Sequence, residues 1–339
     1  MSVKRLALLA MVSIGCAGCK PEPPSGPPTN AESPAAEMAG GRSSARENPP
    51  TPINVEQDPR ARANAELGAK VVGGNPVPAG AMLAIVGVTY GVDRYPRCTG
   101  TLIEPDIVLT AAHCVCGDMD SPSSRVSNVF VGNDWSTRTG PKAGLYYQVV
   151  AFRSGITWPR RATGRQCGTG LQPGRDLALL KLKAPVRGVA PIRVAPDTVT
   201  DAARSYRVAG FGAVDENAKV YPNEKFEARV VAVSNACRGK VSGSPDAAFY
   251  GCQPGEEIVA GNRSSPDSCS GDSGGPLLIT AASNGGTSAT DAFVLAGATS
   301  RAINGPPPYC GQGGIYERLN ANARNWITGG IRILRGGSK

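Results

Sequence analysis

From Val71 onward the chain is cut into short β-branched runs by clusters of Gly, Pro, Asn and Asp, and this punctuation restricts its fold more than any other feature. With 43 glycines and 29 prolines in 339 residues, a long helical bundle is excluded. Glycine costs a helix backbone entropy, and proline removes a backbone donor and clashes with the preceding turn. Leu83–Thr89, Ile107–Thr110, Val129–Val131 and Tyr147–Val150 read as strands of one β unit. Tyr206–Ala209, Glu227–Val233, Pro276–Thr280 and Phe293–Ala296 read as strands of a second. Leu319, Ala323, Trp326 and Ile327 fall at helical spacing and Gly329 follows as a stop, which predicts a terminal helix over about 319–328.

The first 70 residues have another texture. Lys4 and Arg5, the apolar run Leu6–Ile14 and the small residues 15–19 follow the order of a secretory signal peptide over 1–19. Small residues before a cysteine also suit a lipoprotein cleavage box. Neither Ser13-Ile14-Gly15-Cys16 nor Cys16-Ala17-Gly18-Cys19 has the usual Leu three residues before the cysteine. Cys16 and Cys19 therefore stand as alternative lipidation sites beside an ordinary export signal. Residues 20–53, with PEPPSGPP and ENPPTP, read as a Pro-rich tether. Residues 54–70 are polar, with a short helix expected at Ala61–Leu67. No apolar run reaches the ~20 residues of a spanning helix, so contact with a membrane is expected only through a lipid anchor. The net charge of +9 is not gathered into basic runs, which speaks for a solvated surface and against a nucleic-acid face.

Ten cysteines occur, eight of them beyond the leader, and an even number in an exported chain favours a disulfide framework. Eight cysteines allow 105 pairings, so counting alone does not choose among them. Cys114-Val115-Cys116 has the wrong spacing for a zinc knuckle.

The segment Asp267-Ser-Cys-Ser-Gly-Asp-Ser273-Gly-Gly-Pro276 carries the chemistry. Glycines on both sides of Ser273 leave its hydroxyl accessible and let backbone N–H groups converge beside it. A serine hydroxyl is a poor nucleophile until a base takes its proton. The chain has one histidine, His113, in Leu109-Thr-Ala-Ala-His-Cys114. A lone histidine is usually structural and a Gly-Ser-Gly is usually a turn; it is their joint occurrence that points to chemistry.

With TAAHC around His113, GDSGGP around Ser273 and Val71-Val-Gly-Gly74 as a chain start, residues 71–330 resemble a trypsin-like serine protease of the chymotrypsin fold. The resemblance implies an all-β fold of two packed six-stranded barrels, about 71–195 and 196–318, followed by the helix, within a peptidase domain over 71–339. It implies a catalytic triad of His113, Asp176 and Ser273, with Asp176 in Gly174-Arg-Asp-Leu-Ala-Leu-Leu180, and an oxyanion hole from the N–H groups of Gly271 and Ser273. It implies disulfides Cys98–Cys114, Cys237–Cys252 and Cys269–Cys310. Cys116 and Cys167 remain as a further pair outside the basic family pattern. By the same likeness Asp267 lies at the bottom of the primary pocket and selects Arg or Lys, with Ser300, Arg301, Ala302 and Gly314 on its walls. Arg301 stands where the family usually has Trp, and Ala302 where it has Gly. A charge there is expected to replace an apolar platform and to favour acidic side chains upstream of the cut. Residues 54–70 become an activation peptide cut between Lys70 and Val71, whose new ammonium pairs with Asp272.

The resulting expectation is an exported, monomeric serine endopeptidase acting on proteins or peptides, open to a proteinaceous inhibitor. No cofactor is expected, and with no acid-rich calcium loop at 128–150, no metal. The alternative is a catalytically silent binding module on the same fold, although no triad loss is visible. A serine esterase of α/β type fails on the order His, Asp, Ser and the lack of alternating helices.

Overall fold

The structure, a computed structural model, describes residues 72–116, 125–156, 176–238, 247–262, 266–280, 293–304 and 310–337. All of them belong to one compact unit, Asn54–Lys339. The expected leader, tether and propeptide, together with Lys70, Val71, Cys16, Cys19, Cys167 and the helix at Ala61–Leu67, lie outside the described residues.

The strands are β1 (Asn75–Pro76), β2 (Ile85–Tyr90), β3 (Cys98–Glu104), β4 (Ile107–Thr110), β5 (Val126–Val131), β6 (Leu145–Ser154) and β7 (Ala178–Leu182). They continue as β8 (Ser205–Gly210), β9 (Phe226–Ser234), β10 (Glu257–Ala260), β11 (Pro276–Thr280), β12 (Phe293–Ala302) and β13 (Gly314–Arg318). The first barrel closes in the order β2-β3-β4-β7-β6-β5. The second runs β8-β9-β10-β13-β12-β11 and returns to β8. Two closed six-stranded antiparallel barrels are thus present, as the resemblance implies. Closure leaves no free sheet edge in either barrel.

Two boundaries differ from the sequence reading. The segment expected to open the first barrel at about residue 71 instead pairs with the second: β1 lies antiparallel to β9, Asn75 opposite Glu227 and Pro76 opposite Phe226. The last helix also does not stop at Gly329. Helices α1 (Asp197–Ala202) and α2 (Ala247–Tyr250) are short, and α3 spans Ala321–Leu334. Its start is capped by the Asn320 carboxamide oxygen, which accepts the Ala323 N–H at 2.9 Å. It passes Gly329 and Gly330 because the apolar stripe continues through Ile331 and Leu334, which pack on the first barrel's core. Gly330 lets the helix close on that barrel: a Cβ there would lie 2.6 Å from Leu179 Cδ1. Packing outweighs the ~1 kcal/mol that a helical glycine costs.

The first core holds β4 and β7 almost wholly buried, with Leu102, Ile107, Val108, Leu179, Leu180 and Leu182 fully inside. Each such side chain contributes ~1.5–3 kcal/mol by burial. A second core, around Tyr206, Phe226, Ile258, Leu277 and Tyr316, fills the other barrel. These cores fix the ends of β4, β7 and β12, where the candidate site is built.

Candidate active site

His113 sits in a single 3-10 turn, Ala112–Cys114, directly after β4, and Asp176 lies two residues before β7. Because β4 and β7 are paired, Thr110 opposite Ala178, the two side chains emerge at the same end of the barrel. The Asp176 carboxylate holds the histidine twice: Oδ1 accepts the backbone N–H of His113 at 2.9 Å, and Oδ2 is 2.8 Å from Nδ1. Ser300, on β12 of the second barrel, donates its hydroxyl to the same Oδ2 at 2.7 Å. Asp176 is fully buried. Burial alone pushes its carboxyl up, but the His113 ring and the hydrogen bonds from His113 and Ser300 outweigh this and hold it below the usual carboxylate range.

The nucleophile loop is pinned to the first barrel. The carbonyl of Ser273 accepts the Thr99 N–H at 2.9 Å. Gly274 has φ +78°, and a Cβ on it would lie 2.1 Å from Thr110 Oγ1 and 2.5 Å from the Ala111 nitrogen. Only glycine permits that approach. The half-buried Ser273 is thereby set against the segment that leads into His113. Gly271, at φ +97°, backs onto Gly212, where a Cβ would meet Cα at 2.8 Å.

Asp267 is 1% exposed. The resemblance gives Asp267 the task of selecting a cationic side chain, and the structure shows that its hydrogen bonds are already met by backbone donors. Oδ2 accepts the N–H groups of Gly313 at 2.9 Å and Gly311 at 3.1 Å, and Oδ1 accepts that of Ser268 at 2.8 Å. Burial nevertheless pushes the carboxyl up to about 6, since these donors carry no net charge. Among the described residues no salt bridge reaches it. Ala302 and Gly314 face each other across β12 and β13. Gly314 is packed so closely that a Cβ would come within 3.1 Å of Ser268 Oγ and Tyr316 Oη.

Arg301 does not present a free charge to solvent. Its guanidinium grips the fully buried Glu257 of β10 through two bonds, Nη1 to Oε1 at 2.7 Å and Nη2 to Oε2 at 2.8 Å. It also donates to the Gly251 carbonyl at 3.0 Å. The expected attraction for acidic substrate residues is withdrawn, because the charge is already paired.

Asp272, 3% exposed, accepts the N–H groups of Gly212 at 2.9 Å and Cys269 at 3.0 Å. Burial, with a small addition from Asp267, pushes its carboxyl up to about 7. The backbone N–H of Asp267 donates to the Val72 carbonyl at 3.0 Å, which brings the residue after Val71 to this loop.

Cys98–Cys114, Cys237–Cys252 and Cys269–Cys310 are bonded. Cys116 is disulfide-bonded as well, and Cys167 lies outside the described residues. Among the described residues one grouping has ligand atoms close enough for a metal: Cys98, His113 and Cys114. Its two sulfurs are bonded to each other and so offer no thiolate.

Sequence reasoning did not find Thr99, Gly212, Glu257 or Glu317. None sits in a motif with chemistry of its own; their contacts come from residues far away in the chain.

A family model described as Trypsin matches residues 71–327. The chain belongs to this family, and with it to the serine-type endopeptidases. It is similar to Beta-fibrinogenase brevinase of Gloydius blomhoffii, 31% identical over 54% of this chain and 69% of that protein. It is also similar to a Trypsin-like protease of Streptomyces glaucescens, 31% identical over 62% and 67%. Melanization protease 1 of Drosophila melanogaster is 29% identical over 78% of this chain and 66% of its own.

Proposed function

We propose that the protein is an exported endopeptidase, made as a zymogen, that hydrolyses peptide bonds after Arg or Lys through His113, Asp176 and Ser273. One observation carries this reading: a buried aspartate fixes both the backbone and the ring of the chain's single histidine at the end of the barrel against which the GDSGGP loop is pinned.

Ser273 Oγ attacks the scissile carbonyl while His113 takes its proton, and the imidazolium returns it to the leaving amine. Water then repeats the sequence on the acyl-enzyme. Asp176 keeps the Nδ1 hydrogen in place, which leaves Nε2 free to accept. The N–H groups of Gly271 and Ser273 stabilise the oxyanion; a donor of this kind is typically worth about 100-fold to 1000-fold in rate.

Asp267 supports the choice of Arg or Lys. Its hydrogen bonds are met by backbone, so what a substrate cation supplies is the missing countercharge in a buried site. Ala302 adds one methyl at the mouth, worth about 1–3 kcal/mol at most, too little to reverse that preference. Asp272, with two neutral donors and a raised carboxyl, suits an ammonium from Val71 after cleavage at Lys70. The paired cysteines support export to an oxidising compartment, with Cys16 or Cys19 as anchor sites.

The test is a peptide-library cleavage profile of the processed enzyme beside Asp267→Ser. Cleavage after Arg and Lys that collapses in the variant is expected. A wild-type preference for aromatic or aliphatic residues, or an unchanged variant, overturns the specificity.

A further inference from the structure

The second barrel buries an unusual amount of charge directly behind the candidate triad. Glu257 and Glu317 are register partners on β10 and β13, and both are almost fully buried, at 0% and 1% exposure. Like charges placed opposite each other across a strand pair are destabilising, and two carboxylates sharing one buried site cannot both ionise freely. Arg301 is the cation set against them, and it is committed to Glu257 through two hydrogen bonds. Glu317 Oε1 has no hydrogen-bond partner, while the backbone N–H of Asp176 reaches the same carboxyl group. Burial first, and then the facing Glu257 and Asp176, raise the Glu317 carboxyl well above the usual range. The cluster therefore holds one ion pair and one neutral acid.

This cluster touches the site at two points. Arg301 Nη1 lies 3.4 Å from Ser300 Oγ, and Ser300 in turn donates to Asp176 at 2.7 Å. Glu317 meets the backbone of Asp176 from the other strand. The titratable groups that face Asp176 directly are thus His113 and Glu317, with Arg301 reaching it through Ser300 and Glu257 behind Arg301.

We propose that Glu257, Arg301 and Glu317 form a buried lock of positioning residues that orients Ser300 and, through it, the catalytic Asp176. The lock gives Arg301 a role that its sequence position does not suggest: it faces inward, toward the triad acid. Glu257 fixes the fork of the guanidinium, so that Nη1 is turned to Ser300. A lysine could not replace it, since a single ammonium cannot hold both carboxylate oxygens and the hydroxyl in that plane. The neutral Glu317 keeps a second negative charge away from Asp176.

The proposal rests on the triad reading, and its test separates the two. Processed wild type, Glu257→Gln, Arg301→Met, Glu317→Gln and the double variant Glu257→Met with Arg301→Met are first labelled with a serine-directed phosphonate. Absence of label in wild type overturns the triad reading itself. With label present, kcat and kcat/KM are followed against pH. Glu257→Gln leaves an unbalanced cation beside Ser300 and moves the acid limb of kcat/KM to lower pH by about half a unit. Arg301→Met leaves an unbalanced anion and moves it the other way. The double variant, which removes an ion pair and is often tolerated in a core, returns the limb to its wild-type position but keeps kcat about threefold to tenfold lower, with KM little changed. Glu317→Gln, which replaces a neutral acid by a neutral amide, leaves the limb where it is. Single variants that stay folded with unmoved limbs overturn the lock. So does a double variant with full wild-type kcat, which decides the matter even if neither single variant folds.

Discussion

Thr99 on the first barrel donates its hydroxyl to the carbonyl of Gly271 on the second at 2.9 Å, and the same oxygen accepts the Phe211 N–H at 3.2 Å. One side chain thus ties the oxyanion segment to both barrels in a buried place. The nearly isosteric Thr99→Val leaves both backbone groups without that partner, at ~1–3 kcal/mol each. A loss of about 2–6 kcal/mol in unfolding free energy is expected. Turnover should fall by about tenfold or more, because the Gly271 donor loses its support. Denaturant unfolding and kcat measured on the same preparation check this; unchanged kcat shows that the tie does not orient the oxyanion segment.

The raised carboxyl of Asp267 fixes a second outcome. The group is charged above about 6 and neutral below it. For a Lys or Arg substrate KM should therefore rise as pH falls through about 6, and in Asp267→Asn that dependence should vanish while KM is high throughout. A KM flat between pH 5 and 8, two pH values on either side of about 6, contradicts the role of the acid.

Asp272 links activation to pH. Its folded-state value of about 7 exceeds the unfolded value, so the uncut protein binds the extra proton and its stability falls as pH rises through about 4 to 7. An ammonium from Val71 holds the carboxylate ionised and reverses the sign. Thermal melts of inactive Ser273→Ala protein, uncut and cut after Lys70, should differ in slope across that window, with the cut form rising relative to the uncut as pH increases, and Asp272→Asn should abolish the difference. Parallel slopes in the two forms speak against insertion of the new terminus.

The strands with β-branched composition and the motifs around His113 and Ser273 were legible because their signals are local. β3, β10 and β13 were not. CTGTLIE is broken by threonine and glycine, EIVA is short and opens on a charge, and GIYER carries buried charges that read as surface. The pairing of Arg301 with Glu257 joins residues 44 apart in sequence, so no window along the chain shows it. The donors around Asp267 come from 311 and 313 by the same kind of long-range return. The end of α3 was misplaced because Gly329 looks like a stop until the close approach of Gly330 to Leu179 is seen.

Lys225 is fully buried with its ammonium on the Met82 carbonyl at 2.8 Å and over the Phe211 ring. Burial lowers it to about 7. The unfolded chain then binds more protons between about 7 and 10, so this group's contribution to stability rises with pH across that range. The Met82 carbonyl also accepts the Ile85 N–H at 3.0 Å, so removing the lysine does not orphan it. Lys225→Met is expected to stabilise the protein at neutral pH by ~1–2 kcal/mol, less so at pH near 10. Urea unfolding at the two pH values measures it; destabilisation at both shows that the lysine earns its place by packing and hydrogen bonding.

The account centres on Ser273 as a nucleophile activated by His113 and Asp176. The most direct measurement is mass-spectrometric mapping of a serine-directed phosphonate on the processed protein. One covalent adduct per chain on Ser273 is expected, formed at least about a thousandfold more slowly in His113→Ala, where no base remains. A folded, processed protein that takes up no label, takes it up elsewhere, or reacts as fast without His113 contradicts the account.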